Sequence, residues 1–198
     1  MHITFLGNFF EDKGSLIFKQ VVLSLGNEHK WFIFGRVADK KSFSEIKNKL
    51  SLVYPYRKKE LSKMLLENKI DLVLFLSVWP ETFSKTFFES VENELPIIGF
   101  NVGFPYYKFP NYSGFVDLSS GAEGIIQKIN STSASWRIAE LKTEIKKIKS
   151  EFLPQAKHSA EKKYELIERL LSDVADLKEP SATFSDDYGN PHWEKEKI

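Results

Sequence analysis

The sequence predicts a doubly wound α/β domain: a parallel sheet of about six strands, helices in the crossovers, and further helices after the sheet. Short apolar runs alternate with amphipathic helical patterns over roughly the first 130 residues, as a chain of βα units requires. The most apolar run, Leu72-Val-Leu-Phe-Leu76, is too short to span a membrane and is bounded like a strand buried on both faces. Glycines close the first two runs, at Gly7 and Gly35.

Taken in order, His2–Leu6 reads as the first strand, and the loop Gly7–Gly14 leads into a helix burying Leu16, Ile17, Val21 and Leu25. Lys30–Phe34 is the second strand. Ser42–Leu50 reads as a short helix capped by Ser42 or Ser44, followed by a brief third strand at Leu52-Val53. Tyr56–Leu61 opens an amphipathic helix whose buried positions are Leu61, Met64 and Leu65. The fourth strand is Asp71–Leu76. After Pro80, Phe83, Phe87 and Val91 recur at a spacing of four and predict a helix with these three on its buried face. Pro96–Phe100 is the fifth strand. Tyr106, Tyr107, Phe109 and Tyr112 belong to a proline-containing loop suited to cover the sheet edge or to stack a base or sugar. Gly114–Asp117 gives a sixth strand and Gly121–Ile129 a helix. Residues 131–152 form a long helix with Ile138, Leu141, Ile145, Ile148 and Phe152 on one stripe. A second helix carries Ala160, Tyr164, Ile167, Leu171 and Val174. From Asp176 the composition is that of a tail or linker.

A length of 198 residues with 42% hydrophobic content, 17 Phe and 4 Trp supplies a substantial core for one domain. The formal net charge of +1 gives no electrostatic reason to expect nucleic acid or acidic lipid as partner. With no cysteine there is no disulfide and no thiolate metal site, and the four histidines show no ligand spacing. No run approaches the ~20 apolar residues of a membrane helix. A soluble, cytoplasmic protein without metal or cofactor is the expectation.

Two carboxylates stand out against the apolar pattern. Glu81 falls at the turn after the fourth strand, and Glu89 falls on the following helix. Carboxyl ends of parallel strands, next to a helix N-terminus, are where open α/β sheets bind ligands. In a 3-2-1-4-5-6 strand order with right-handed crossovers, the first and fourth strands are neighbours at the switch point. The loop carrying Lys13 is then expected to face the turn carrying Glu81.

The segment Trp79-Pro-Glu-Thr-Phe-Ser84 with Glu89, set between its strand and the Leu95-Pro-Ile-Ile98 strand start, resembles the Glu-x7-Glu signature of retaining glycosyltransferases of the GT-B fold, the family 4 (group 1) type. Lys13, before Gly14, is similar to the family's diphosphate-binding Lys. The accompanying Arg position holds Asn8, which removes one cation. The resemblance covers residues 2–130 and implies a Rossmann-like, nucleotide-sugar donor-binding second domain of a GT-B enzyme of hexosyltransferase type, such as serves polysaccharide biosynthesis. Outside the resemblance, the apolar stripes of residues 131–175 read as C-terminal helices packed on that domain, with 176–198 a tail or linker. The resemblance gives Glu81 the catalytic place beside the donor sugar and Glu89 the ribose hydroxyls. Asn8 and Lys13 take the diphosphate together with the backbone at Thr82, Phe83, Ser84 and Lys85, and Tyr56 faces the base. The nucleotide-sugar is the substrate, the acceptor is unknown, and a missing N-terminal acceptor domain is expected as partner, without which the chain is inactive. A non-catalytic Rossmann-like binding module and a GT-B-type sugar-nucleotide epimerase fragment remain as alternatives; the Trp79–Ser84 turn favours the transferase.

Overall fold

Strand β1 (His2–Leu6) lies inside a six-stranded sheet and pairs in parallel with β2 (Lys30–Phe34) on one side and β4 (Leu72–Phe75) on the other. The structure is a computed structural model and describes residues 1–53 and 56–154. Beyond β2 lies β3 (Leu50–Val53), and beyond β4 lie β5 (Ile97–Phe100) and the two-residue β6 (Phe115–Val116). The order β3-β2-β1-β4-β5-β6, parallel throughout, is the doubly wound order expected. Every residue of β4 and β5 is buried, which is why these strands are apolar without alternation.

The helices are α1 (Ser15–Leu25), α2 (Lys40–Ile46), α3 (Lys58–Glu67), α4 (Lys85–Glu92), α5 (Gly103–Lys108), α6 (Gly121–Thr132) and α7 (135–154). α1 packs against both α2 and α6. In α1 the buried stripe is Ser15, Phe18, Val21, Val22 and Leu25, whereas Leu16 is 45% exposed, contrary to expectation. Phe18 sets this rotation: its ring meets Phe5, Phe9 and Trp31 edge-on at 5.5, 5.8 and 6.0 Å, so the helix turns its bulkiest side chain to the sheet.

Helix α2 starts earlier than predicted, because its cap is Asp39 rather than Ser42 or Ser44. The Asp39 carboxylate accepts from the Ser42 N–H at 3.0 Å and from the Ser15 hydroxyl at 2.5 Å, tying α2 to the start of α1. Burial works against this charge, but the hydrogen bonds from Ser15 and Ser42 prevail and hold the Asp39 carboxyl below its ordinary range. The chain then makes one 3-10 turn, Lys47–Lys49, and enters β3 at Leu50, which pairs with Trp31; the strand is therefore longer than Leu52-Val53. In α3, Leu61 and Leu65 are buried as expected and Met64 is half-buried.

The aromatic stretch after β5 is not all loop. Residues Gly103–Lys108 form α5, and Tyr112 is buried at the sheet edge. Because β6 pairs only with Gly99 and Phe100, the N–H and C=O of Ile97 on that side meet no strand. The Tyr112 hydroxyl supplies both partners, donating to Ile97 O at 2.8 Å and accepting from Ile97 N–H at 2.9 Å. Burial pushes the Tyr112 phenol far above its ordinary value, so it stays protonated and able to donate.

α6 ends at Thr132 and a break at 133–134 separates it from α7, where a single helix from 131 was predicted. α7 buries Leu141, Ile145 and Ile148, and Phe152 stacks on Phe88 of α4 at 5.2 Å. Lys149 and Lys146 reach Glu94, at the turn after α4, at 2.8 and 3.7 Å. The predicted helix carrying Ala160–Val174 and the predicted tail lie outside the described residues. No described helix is long and apolar enough to cross a membrane.

Replacing Tyr112 by Phe keeps the ring but leaves the N–H and C=O of Ile97 buried without partners. The expected cost is about 1–3 kcal/mol of unfolding free energy, read from urea denaturation, with no change in m-value.

Candidate functional site

At the carboxyl ends of the strands, where the sheet order reverses between β1 and β4, the loops leave a cavity of about 310 Å³. β1 contributes Asn8 and Lys13 through the loop before α1, and β4 contributes Glu81 and Phe83 through the turn before α4. Lys85, Thr86 and Glu89 come from α4 itself, and Tyr56 comes from the segment before α3.

The two loops are tied to each other. Val78 N–H donates to Asp12 O at 3.1 Å, and the Ser77 hydroxyl donates to the same carbonyl at 3.4 Å. Gly14, at φ +86, sits against the end of β4: a Cβ there would lie 2.1 Å from the Leu76 carbonyl oxygen, so only glycine lets the loop close this far. Lys13, next to it, places Nζ 2.8 Å from Glu81 Oε1, and the expectation that these residues face one crevice is met by direct contact. The pair is partly shielded, with side chains 36% and 14% exposed.

Glu81 is fixed from behind by the start of α5. Its carbonyl accepts from Phe104 N–H at 2.8 Å, and Gly103, at φ +72, presses so near that a Cβ would lie 2.7 Å from the Glu81 nitrogen. Sequence reasoning did not assign Gly103 a part in the site. A glycine shortly after the end of β5 is a weak signal, and only the backbone approach reveals its use.

α4 begins at Lys85, later than the Phe83–Phe87–Val91 spacing predicts, because Ser84 is the cap: its hydroxyl accepts from Phe87 N–H at 3.3 Å. Phe83 consequently lies outside the helix, is 60% exposed, and stacks on Phe88 at 4.9 Å while lining the cavity. The late start puts Glu89 in the second turn, nearer the helix N-terminus than the sequence implied. The first amides of α4 have no intrahelical acceptor, and the positive end of the helix dipole borders the cavity.

Glu89 is only 2% exposed, so it is not a solvated surface charge. Its Oε2 accepts from the Tyr56 hydroxyl at 3.2 Å. Among the described residues Oε1 has no hydrogen-bond partner, and Lys85 Nζ stands 3.6 Å from it. Burial first, then the charge and hydrogen bond of Glu89, push the Tyr56 phenol well above its ordinary value, leaving Tyr56 a standing donor to the carboxylate. The cavity therefore offers two ammonium groups, two carboxylates and one unused buried acceptor. Of the residues singled out in the sequence, Asn8, Lys13, Tyr56, Glu81, Phe83, Lys85 and Glu89 line it. Thr82 is exposed and Ser84 is buried as the cap, and neither side chain reaches the wall, whereas Thr86 does. Among the described residues no cluster of three or more His, Asp or Glu is placed to hold a metal.

No protein-family model matches the chain, and no curated protein matches it in sequence. Solved structures do match. The C-terminal domain of the glycosyl transferase group 1 family protein LpcC from Francisella tularensis aligns at a TM-score of 0.57 and 13% identity, over 76% of this chain and 85% of that one. HepE from Anabaena, in complex with UDP, aligns at 0.63 and 14% identity, over 75% of this chain and 43% of that one. Sucrose-phosphate synthase from Thermosynechococcus elongatus aligns at 0.67 and 14% identity, over 87% of this chain and 46% of that one. At these identities the likeness is one of fold: the described domain has the Rossmann-like architecture of the C-terminal domain of GT-B proteins. The chain spans less than half the length of the HepE and sucrose-phosphate synthase chains.

Gly103→Ala is expected to push the Glu81 backbone away from its position and to strain a left-handed residue. The melting temperature should fall by the equivalent of about 1–2 kcal/mol, measured calorimetrically.

Proposed function

We propose that the chain is the donor-binding half of a cytoplasmic, retaining glycosyltransferase of hexosyltransferase type, which moves a sugar from a nucleotide-sugar to an acceptor. The observation that carries this reading is the convergence of Lys13, Glu81 and Glu89 on one switch-point cavity. Lys13 belongs to one local motif and Glu81 with Glu89 to another far along the chain, yet Lys13 and Glu81 touch at 2.8 Å and all three line one cavity. The UDP complex of the similarly folded HepE supports a nucleotide as occupant.

Glycosyl transfer releases a nucleoside diphosphate as negative charge builds on the leaving oxygen and positive charge builds on the sugar. Lys13, Lys85 and the N-terminal amides of α4 meet the first charge, since preorganised donors cost no rearrangement when the charge develops. Glu81, at the mouth of the same cavity, orients the sugar and faces its developing positive charge. Glu89 accepts ribose hydroxyls through the buried Oε1 that no described group uses, and the Tyr56 hydroxyl fixes the carboxylate in the orientation that keeps this oxygen available. Acceptor binding belongs, in this reading, to a domain outside the chain, and the chain alone binds donor without turning it over.

The test begins with thermal shift against UDP, GDP, ADP and TDP and their sugars, followed by calorimetric titration of the nucleotide that stabilises most. Glu89→Gln should weaken binding about tenfold, or roughly 1.4 kcal/mol. Because it removes a buried charge, it should leave the empty protein at least as stable as the parent. Glu92→Gln, which touches only the exposed pair with Lys58 at 3.5 Å, should change neither. Equal binding by both variants and the parent would sink the ribose role. The anomeric configuration of the product, formed once the acceptor domain is supplied, tests retention.

A further inference from the structure

We propose that Glu81 is a competitor for Lys13 built into the site, so that the pair acts as a latch selecting an intact nucleotide-sugar over the nucleoside diphosphate left after transfer. The proposal rests on the donor-site reading above and assigns to that site its discrimination between substrate and product.

In the empty site the Lys13 ammonium and the Glu81 carboxylate are already bonded to each other at 2.8 Å. Both ends are held. Glu81 has its carbonyl pinned by Phe104 N–H and its nitrogen backed by Gly103, and Lys13 lies in a turn closed by Lys13 N–H to Phe10 O and Gly14 N–H to Glu11 O. With Glu81 14% exposed, water screens the pair less than it would on an open surface. The four charged groups on the cavity wall, Lys13, Lys85, Glu81 and Glu89, cancel. A diphosphate thus approaches a neutral wall whose best cation is occupied.

Two consequences follow from that geometry. A diphosphate oxygen that takes Lys13 must displace the Glu81 carboxylate, which is left beside an anion with no partner. A free nucleoside diphosphate bears this cost in full. A nucleotide-sugar carries hydroxyl donors next to the diphosphate, and these receive the displaced carboxylate as charge-assisted hydrogen bonds. Once the sugar has gone, Glu81 returns to Lys13 and drives the diphosphate out.

The test is a double-mutant cycle on the full chain, titrated calorimetrically with UDP and with inorganic pyrophosphate as a probe independent of the base. Glu81→Gln keeps the shape of the side chain but releases Lys13, and should bind both probes about fivefold more tightly than the parent. Lys13→Ala should bind them more weakly. In the Lys13→Ala background, Glu81→Gln should change affinity by about twofold or less, because no latch remains to open. A gain of the same size in both backgrounds would mean that Glu81 merely repels anions, and no gain in the parent background would mean that the pair does not compete; either overturns the latch while leaving the donor site standing. Absence of binding of pyrophosphate, UDP, GDP, ADP and TDP to parent and variants alike overturns the donor-site reading and the latch with it. Tight binding of UDP and pyrophosphate by Glu81→Gln alone, lost on adding Lys13→Ala, establishes the competition; UDP-glucose, titrated alongside, should gain less than UDP from Glu81→Gln, and an equal gain overturns the discrimination.

Discussion

β1 and β4 lie hydrogen-bonded side by side, Ile3 opposite Leu72 and Phe5 opposite Leu74, although β2, β3 and three helices intervene between them in the chain. From that pairing the chain winds outward in two directions, and the loops leaving β1 and β4 diverge on opposite sides of the same seam. A parallel sheet requires every strand to end on the same edge, so both loops emerge at one pole. The cavity, the Lys13–Glu81 contact and the position of α4 all depend on this one adjacency. The apolar character of β4, unbroken by alternation, is its energetic counterpart: the strand carrying the site is buried on both faces and cannot shift.

The rim of the site departs from what stability alone favours. Glu89 carries a carboxylate at 2% exposure whose Oε1 meets no hydrogen-bond donor among the described residues, a costly arrangement for a buried charge. The contrast with Tyr112 is instructive. There a phenol completes both open hydrogen bonds at the edge of β5, as a group serving the fold should. Glu89 keeps a vacancy open, and the residue that could have closed it from the other side, Tyr56, fixes only Oε2. At Glu89 the open acceptor belongs to a cavity-lining residue, where a ligand can bring donors of its own.

Rigid backbone placement supports the site from outside it. Gly14 lets the β1–α1 loop press on the end of β4, and Gly103 lets the start of α5 press on Glu81. α7 reinforces the far side of α4 through Phe152 on Phe88 and through the pairing of Lys146 and Lys149 with Glu94, whose carboxyl the Lys149 hydrogen bond and the lysine charges hold below its ordinary range against burial. The α4 dipole is thereby aimed by packing at both ends of the helix, and the amides at its N-terminus hold a fixed direction toward the cavity.

The strand order, the parallel sense and the facing of Lys13 and Glu81 were legible in the sequence, because alternating apolar runs and helical patterns leave few right-handed windings open. Glu81 and Glu89 were legible too, as charges that break an apolar pattern at the end of a buried strand. Helix rotation and helix ends were not. Leu16 is exposed and Phe18 buried because the rings of Phe5, Phe9 and Trp31, brought together by strand pairing, offer a slot that one phenylalanine fills. Asp39 caps α2, and Phe83 falls outside α4, because side-chain caps at Asp39 and Ser84 compete with periodicity over the first turn. The burial of Glu89, its bond to Tyr56 and the backing of Glu81 by Gly103 join segments distant in the chain. Periodicity is a property of neighbours in sequence and carries the layout; contacts at the switch point depend on distances across the sheet, and only the tertiary structure decides them.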